Sequence, residues 1–541
     1  MFVETHTLVQ LMPEIFLVAL ATWMFVGGTF AGGRSFWSTF AVLSYLVAGF
    51  ALFMHGRNLF EVFEAGEALG PQGPIAVDFL GHLLRWLALS MGVLITLMAS
   101  QGLRKNVATE LLGLIMLTVA GTMLASQATE LVLLFLGLEL VSIPTYILLY
   151  IGRPGRAGAE STAKYFFLSI LSSAMLLYGF SFLYGMTGTT ALFGNGVTPG
   201  IRDQLVQQMN DGSPLMMLAP LALVLIFAGL GFKMAAVPFH FYAPDVYQGT
   251  TNVNAGILAV LPKIVGVVAL LRIAVVALPA DFATYAWQFA LVVAILTMTI
   301  GNVCALWQTN VRRIMGYSSI AHAGYMLIGL TVALVARVHT DVGAQIGYGG
   351  MAAMIFYLVV YAFGTLGTFA VLAHLSSEDR EVGTLEELSG LNQSKPIAAG
   401  LMAVFMFSLA GIPPLAGFWG KLTLFTSAVS LSTTVDSPLI SSWLIVLAVA
   451  GALNAAIAGA YYLRIVGAMY FRPVAVNYPQ AGGVGGLGAA VICAILIVLV
   501  GISPRFVLSS ARKAESSAYD VPHSMLQVTA TPAGAAPVAS R

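Results

Sequence analysis

Apolar runs of about 20 residues, separated by short polar breaks, recur along almost the whole chain. Their length matches the roughly 30 Å that a helix must cross in a bilayer, and they lack the ten-residue alternation of barrel strands. The pattern predicts an all-α integral membrane protein of about fourteen spans. The expected cores lie near 9–29, 36–54, 83–101, 108–127, 130–151, 164–186, 215–241, 252–277, 285–307, 312–335, 350–374, 396–430, 440–470 and 484–503. The longest loops fall at 55–81, 187–214 and 375–395. The stretch 504–541, rich in Ala, Ser and Pro, reads as a disordered tail.

Two central stretches read as counterparts. The fourth to eighth spans cover about 108–277 and the ninth to thirteenth about 285–470, flanked by three N-terminal helices (1–107) and a last helix (484–503). Units of five helices in tandem must sit upside down relative to each other, which is the inverted-repeat plan of many transporters. The seventh span carries Pro238 inside FAGLGFKMAAVPFHFYAPDVYQG, and the twelfth carries Gly411, Pro413 and Pro414 inside SLAGIPPLAGFWGKLTLF. Proline deletes a helix hydrogen bond and clashes with the preceding turn, so both helices are expected to break there.

Composition supports the membrane reading and removes other classes. The chain of 541 residues is 59% hydrophobic and 9% charged, against roughly 25% charged in soluble domains. A net charge of +1 gives no reason to expect nucleic acid. Cys304 and Cys493 stand far apart, with no Cys/His cluster, so neither an iron–sulfur cluster nor a structural metal is expected. No nucleotide-binding glycine motif is present. The opening MFVETHTLVQLMPEIF lacks a basic leader and reads as an uncleaved first span. Lys and Arg concentrate in the odd-numbered loops (Arg104, Lys105, Arg153, Arg312 and Arg313 among them), which places those loops in the cytoplasm and both termini outside.

Against this apolar background five ionisable residues stand well inside spans: Glu139, Lys233, Lys263, His322 and Lys421. Glu139 lies about nine residues into its span, roughly 14 Å deep. A charge at the centre of a membrane helix costs about 2.5–3.5 kcal/mol on insertion scales, so such residues persist only if paired, hydrated or needed. Glu139 and Lys233 could neutralise each other, but one glutamate cannot serve three lysines, so some must be deprotonated or meet water. Such a set suits proton or cation transfer, with a neutral histidine able to hand a proton on. Taken singly, each also fits a structural role: Lys263 or Lys421 could snorkel to an interface, and His322 could be a hydrogen-bonded core residue. Lys164 opens the sixth span, where snorkelling and modulation of Glu139 are equally open. His240 and Asp245 flank the seventh-span break and are candidate gates. Glu14 and Asp78 lie near span ends and are expected to face headgroups or water.

The segments LFLGLELVSIPTYIL, GFKMAAVPFHFYAPDVYQG, WQTNVRRIMGYSSIAHAGYMLIGL and LAGIPPLAGFWGKLTLF resemble the antiporter-like membrane subunits of respiratory complex I, nearest to its subunit N branch. The resemblance runs from about Glu14 to the last span. It implies fourteen helices with two inverted five-helix repeats, and a proton path through Glu139, Lys233, Lys263 and Lys421, with His322 at the family's mid-membrane histidine region. It also implies membrane and peripheral partner subunits that carry NADH, FMN, iron–sulfur clusters and quinone, with no cofactor in this chain. The expected home is a bacterial inner membrane, with the quinone pool reached through the complex. Lys421 stands where another branch has glutamate, and TTNVNAG replaces a proline-containing segment before the eighth span. Subunits of multi-subunit sodium/proton antiporters and of membrane-bound hydrogenases share the fold and remain the alternatives.

Overall fold

The computed structural model describes residues 5–30, 33–59, 62, 64, 71–102, 107–194, 198–338, 349–377, 380–476 and 483–521. Arg104, Lys105 and the last part of the expected tail, 522–541, lie outside the described residues. The chain is helical nearly throughout: α1 (Thr5–Gln10), α2 (Met12–Gly28), α3 (Arg34–Asn58), α4 (Phe79–Gly102), α5 (Ala108–Gln127), α6 (Leu131–Gly152), α7 (Arg156–Thr187), α8 (Ile201–Asn210), α9 (Ala219–Met234), α10 (Tyr242–Gly249) and α11 (Asn252–Leu270). After a π-helical continuation at Leu271–Ala277 follow α12 (Ala280–Leu306), α13 (Val311–Val338), α14 (Gly350–Leu375), α15 (Leu391–Ser394), α16 (Pro396–Ala410), α17 (Ala416–Ser432), α18 (Pro438–Phe471), α19 (Val484–Ile502) and α20 (Arg505–Asp520). A short antiparallel pair, Pro71–Gln72 with Ile75–Ala76, precedes α4.

Among the described residues, twelve helices are long and apolar enough to cross a membrane, and the shorter apolar helices Met12–Gly28 and Pro396–Ala410 accompany them. The centre of the bundle is the continuous span Asn252–Ala277, buried along its whole length, with α13 and α14 beside it. Close packing here relies on small residues, as expected where lipid gives helices no hydrophobic drive to associate. A Cβ on Gly301 of α12 would stand 2.6 Å from the main-chain nitrogen of Ala321 in α13, and one on Gly324 would stand 2.6 Å from that of Met298. The outer helices turn Trp23, Phe50, Tyr150 and Trp443 outward, as a lipid-facing or partner-facing surface requires.

The seventh and twelfth spans break where proline marks them, and the breaks share one geometry. α9 stops at Met234, and Ala235 takes the left-handed conformation (φ +59°). α16 stops at Ala410, and Gly411 takes the same conformation (φ +89°). In each, the second residue past the helix closes back on the same carbonyl position: Ala236 N–H on Gly231 O at 2.8 Å, Ile412 N–H on Phe407 O at 3.0 Å. Alanine in that conformation costs about 1–2 kcal/mol that glycine does not. Pro238 and the Pro413–Pro414 pair lie in the turns that follow, upstream of α10 and α17.

The tail differs from its expectation. Residues 505–520 form α20, an amphipathic helix whose Ala511, Ala514 and Ala518 are buried against α4 and α14. It caps two spans in trans: Ser517 Oγ accepts the N–H of Phe79 at 2.8 Å, and a Glu515 carboxylate oxygen accepts that of Met351 at 3.2 Å. First-turn N–H groups have no partner within their own helix, so acceptors supplied from elsewhere are stabilising.

Candidate functional site

Breaking a helix inside a bundle leaves main-chain carbonyls at its C-terminal end without partners, in a region of partial negative charge. Two of the buried lysines answer this. Lys263, from α11, donates to Met234 O and to Ser319 O, both at 2.7 Å. Lys421, from α17, donates to Leu409 O at 3.0 Å and Ala410 O at 2.9 Å. Both ammonium groups also lie over aromatic rings, Lys263 5.6 Å from the centroid of Tyr361 and Lys421 5.1 Å from that of Tyr325. Neither snorkels: they are 1% and 5% exposed. A neutral amine still carries two N–H donors, so two carbonyl acceptors are satisfied whether or not the third proton is present. Each lysine can therefore release and regain a proton without leaving a broken hydrogen bond.

His322 stands between them on α13. Its Nδ1 is 2.6 Å from the Tyr357 hydroxyl and its Nε2 2.9 Å from the Tyr462 hydroxyl, which also bonds Ser318 Oγ. One helix turn holds Ser318, Ser319 and His322 together, so Lys263, through Ser319, and His322 share a single polar face of α13. Beyond His322, Tyr325, Asn302, Tyr461 and Asn454 continue a buried hydrogen-bonded cluster.

Lys233 lies in the last turn of α9 and donates to Ser142 Oγ (2.6 Å) and Ser169 Oγ (3.2 Å). Glu139 does not meet it in a contact ion pair: its carboxylate accepts from Ser173 Oγ at 2.5 Å. Serine hydroxyls thus meet each charge separately, and Glu139 is half-buried on α6. The pair considered from the sequence is therefore not a contact ion pair. Among the described residues, no carboxylate lies within 4 Å of Lys233, Lys263 or Lys421. Lys164 pairs with Glu160 (2.8 Å) and Asp245 (2.9 Å) rather than with Glu139, and Arg313 completes the cluster at 2.6 Å from Asp245. Burial works to raise the Asp245 carboxyl, but hydrogen bonds from Lys164 and Arg313 outweigh it and hold the carboxyl below its ordinary value. His240 stands half-buried in the turn between Pro238 and α10.

Residues 128–447 match the family model of the NADH:quinone oxidoreductase/Mrp antiporter transmembrane region. The chain is also 35% identical over 457 residues to NADH-quinone oxidoreductase subunit N of Trichlorobacter lovleyi, an overlap of 84% of this chain and 85% of that protein. It belongs to the NADH-quinone oxidoreductase subunit N family. The structure of respiratory complex I from Thermus thermophilus with bound aureothin contains a chain that superposes with TM-score 0.71 at 29% identity, covering 92% of this chain and 98% of that one. A chain of the Mrp complex from Dietzia sp. DQ12-45-1b superposes at 0.74 with 19% identity, covering 95% of this chain and 98% of that one, and shares the fold.

In this member of the subunit N family the matched region contains Glu139, Lys164, Lys233, His240, Asp245, Lys263, His322 and Lys421. Other buried charges lay outside the sequence reading. Glu14 and Asp78 do not face headgroups or water: they are 4% and 2% exposed. Glu14 pairs with Arg85 at 2.7 Å and accepts from Gln127 at 3.0 Å. Asp78 holds Arg272 in a two-pronged pair at 2.9 Å, and the same guanidinium donates to Ser126 O. Arg85 and Arg272 carried a signal, being lone arginines at apolar span ends, but span ends are also where arginines ordinarily meet water.

Proposed function

We propose that the chain is the proton-conducting, non-redox membrane subunit of an NADH–quinone oxidoreductase in a bacterial inner membrane. The observation that carries this reading is the pair of buried lysines at the two helix breaks, each bonded by two carbonyls and with no carboxylate in contact. Protons load to Lys233 or Lys263, pass His322 and leave by Lys421. Glu139 influences Lys233 through its charge, without contact, while serine hydroxyls bond each of them. NADH, FMN, iron–sulfur clusters and quinone belong to partner subunits, and redox chemistry there drives this path electrostatically. The family relatives, named subunit N, favour this over a sodium/proton antiporter, for which the Mrp likeness at 19% identity supports the fold alone.

The test is purification of the tagged chain in mild detergent from native membranes, followed by assay for NADH–quinone reductase activity and reconstitution into vesicles. Flavin and iron–sulfur subunits should accompany it. Lys233→Met or Lys421→Met should abolish proton pumping in an assembled complex. Unchanged pumping in both variants would sink the path, and sodium-driven proton exchange without redox partners would point to the antiporter reading.

A further inference from the structure

A cavity of about 40 Å³ with a mixed polar and apolar wall opens at the end of the bundle where the loop lysines and arginines concentrate. It lies between the start of α11, the ends of α4 and α14, and the loop after α14, with Asn252, Ser376 and Glu381 in its wall. A water needs roughly 10–15 Å³ on this measure, so two or three fit. Buried polar atoms in the same corner lack a protein partner: Asn252 Oδ1, Thr250 Oγ1 and Arg312 Nε. Asn252 and Thr250 are 1% and 0% exposed. Unpartnered groups at that depth are costly, and Asn252 lines a cavity with room for water.

Glu381 sits at the mouth, half-buried, with one carboxylate oxygen accepting from the Asn252 N–H (3.0 Å) and Asn252 Nδ2 (2.7 Å). Asn252 Nδ2 also reaches Ser376 Oγ at 2.9 Å. Burial pushes the Glu381 carboxyl above its ordinary value, against the pull of Arg312 and Arg153, the cations that face it. At the inner end Met98 forms part of the wall, and its Cε lies 3.5 Å from where a Cβ on Gly256 would stand. Leu366 Cδ1 and Phe369 Cβ close the same point at 3.2 and 3.4 Å. Three residues on, about 4.5 Å along α11, the Ala259 carbonyl lies 3.1 Å from the Tyr361 hydroxyl, which is 2.9 Å from Ser319 Oγ. Lys263 bonds the Ser319 carbonyl.

We propose that Glu381 is the residue that loads protons into this chain, through the cavity and past Gly256 to Tyr361, Ser319 and Lys263. The carboxyl releases one proton to cavity water and takes one from solvent, returning to its starting state. Met98, Leu366 and Phe369 close the point beside Gly256, so the link is completed when the flexible Met98 side chain swings aside and water enters. This inference rests on the proton-conducting reading above.

The test uses the whole complex in proteoliposomes, with NADH-driven proton flux measured for wild type, Glu381→Gln, Glu381→Asp, Gly256→Val and Lys421→Met. Glu381→Gln should lower flux about tenfold, less than the roughly hundredfold or more that a positioned proton-transfer group contributes, because water can partly bypass it. Glu381→Asp should restore it, and Gly256→Val should reduce it by packing against Met98 and blocking that movement. Wild-type flux in both Glu381→Gln and Gly256→Val, in preparations whose Lys421→Met counterpart is inactive, overturns the inference alone. A wild-type complex that pumps no protons overturns the underlying reading as well. If Glu381→Gln does not assemble, Gly256→Val decides: reduced flux supports the route and full flux overturns it.

Discussion

The ammonium of Lys263 lies 2.7 Å from the carbonyl of Met234, the residue at which the seventh span stops. A residue from the eighth span thus completes the broken end of the seventh. Lys421 does the same for Ala410 within the twelfth, at 2.9 Å. A helix break in a bilayer is stable only if its freed carbonyls find donors. At both breaks the donor is a side chain able to carry a proton.

Lys263→Met removes the donor and leaves Met234 O without a partner, while Ser319 O, inside α13, keeps its helical bond. The loss should be about 1–3 kcal/mol for the one buried carbonyl left unpaired. It should appear as a lower unfolding midpoint in mixed micelles, together with loss of flux. Stability equal to wild type would show that water or a shifted backbone replaces the lysine.

His322→Phe keeps the ring volume but removes both hydrogen bonds to Tyr357 and Tyr462. Flux should fall sharply while the complex still assembles, since Tyr462 keeps Ser318 and the Tyr357 hydroxyl left without its partner costs only about 1–3 kcal/mol. Normal flux in reconstituted vesicles would remove His322 from the path and leave it as a packing residue.

The Asp78–Arg272 pair joins the third span to the end of the eighth, away from the lysines. Asp78→Asn leaves a buried guanidinium short of its counter-charge and should cost about 3–5 kcal/mol. Replacing both by apolar residues, Asp78→Leu with Arg272→Met, should recover much of that loss, because desolvation of both charges is removed with their attraction. Thermal melting of the three variants distinguishes this from a pair that is dispensable.

Burial pushes the Glu515 carboxyl from its ordinary 4.5 up to about 7, against the Met351 N–H that it accepts. The folded state therefore binds a proton more tightly than the unfolded chain does. The stability this contributes is fully present below pH 4.5 and is lost as pH rises towards 7 and through it. α20 should loosen over that window, seen as faster amide exchange across Arg505–Asp520. Glu515→Gln should flatten the response, and an unchanged pH profile in that variant would assign it to another group.

The sequence alone determined the helical membrane class, because long apolar runs at 9% charge leave no other way to satisfy a backbone. It also determined the positions of Lys233, Lys263, His322 and Lys421 as buried groups, because an ionisable residue deep in a 20-residue apolar run has little room to reach water. Proline marked both breaks to within a few residues, but the helices end upstream at Met234 and Ala410, since the clash falls on the preceding turn. The amphipathic spacing of Ala511, Ala514 and Ala518 was legible in the tail, although its polar composition reads as disorder. Tertiary structure alone decided the partners. Whether Glu139 touches Lys233, 94 positions away, depends on how α6, α7 and α9 pack, and in the fold each charge meets serine hydroxyls instead. Whether Glu14 and Asp78 meet water depends on arginines 71 and 194 positions distant, because a charge near a span end is hydrated by default and only neighbouring helices can exclude the water.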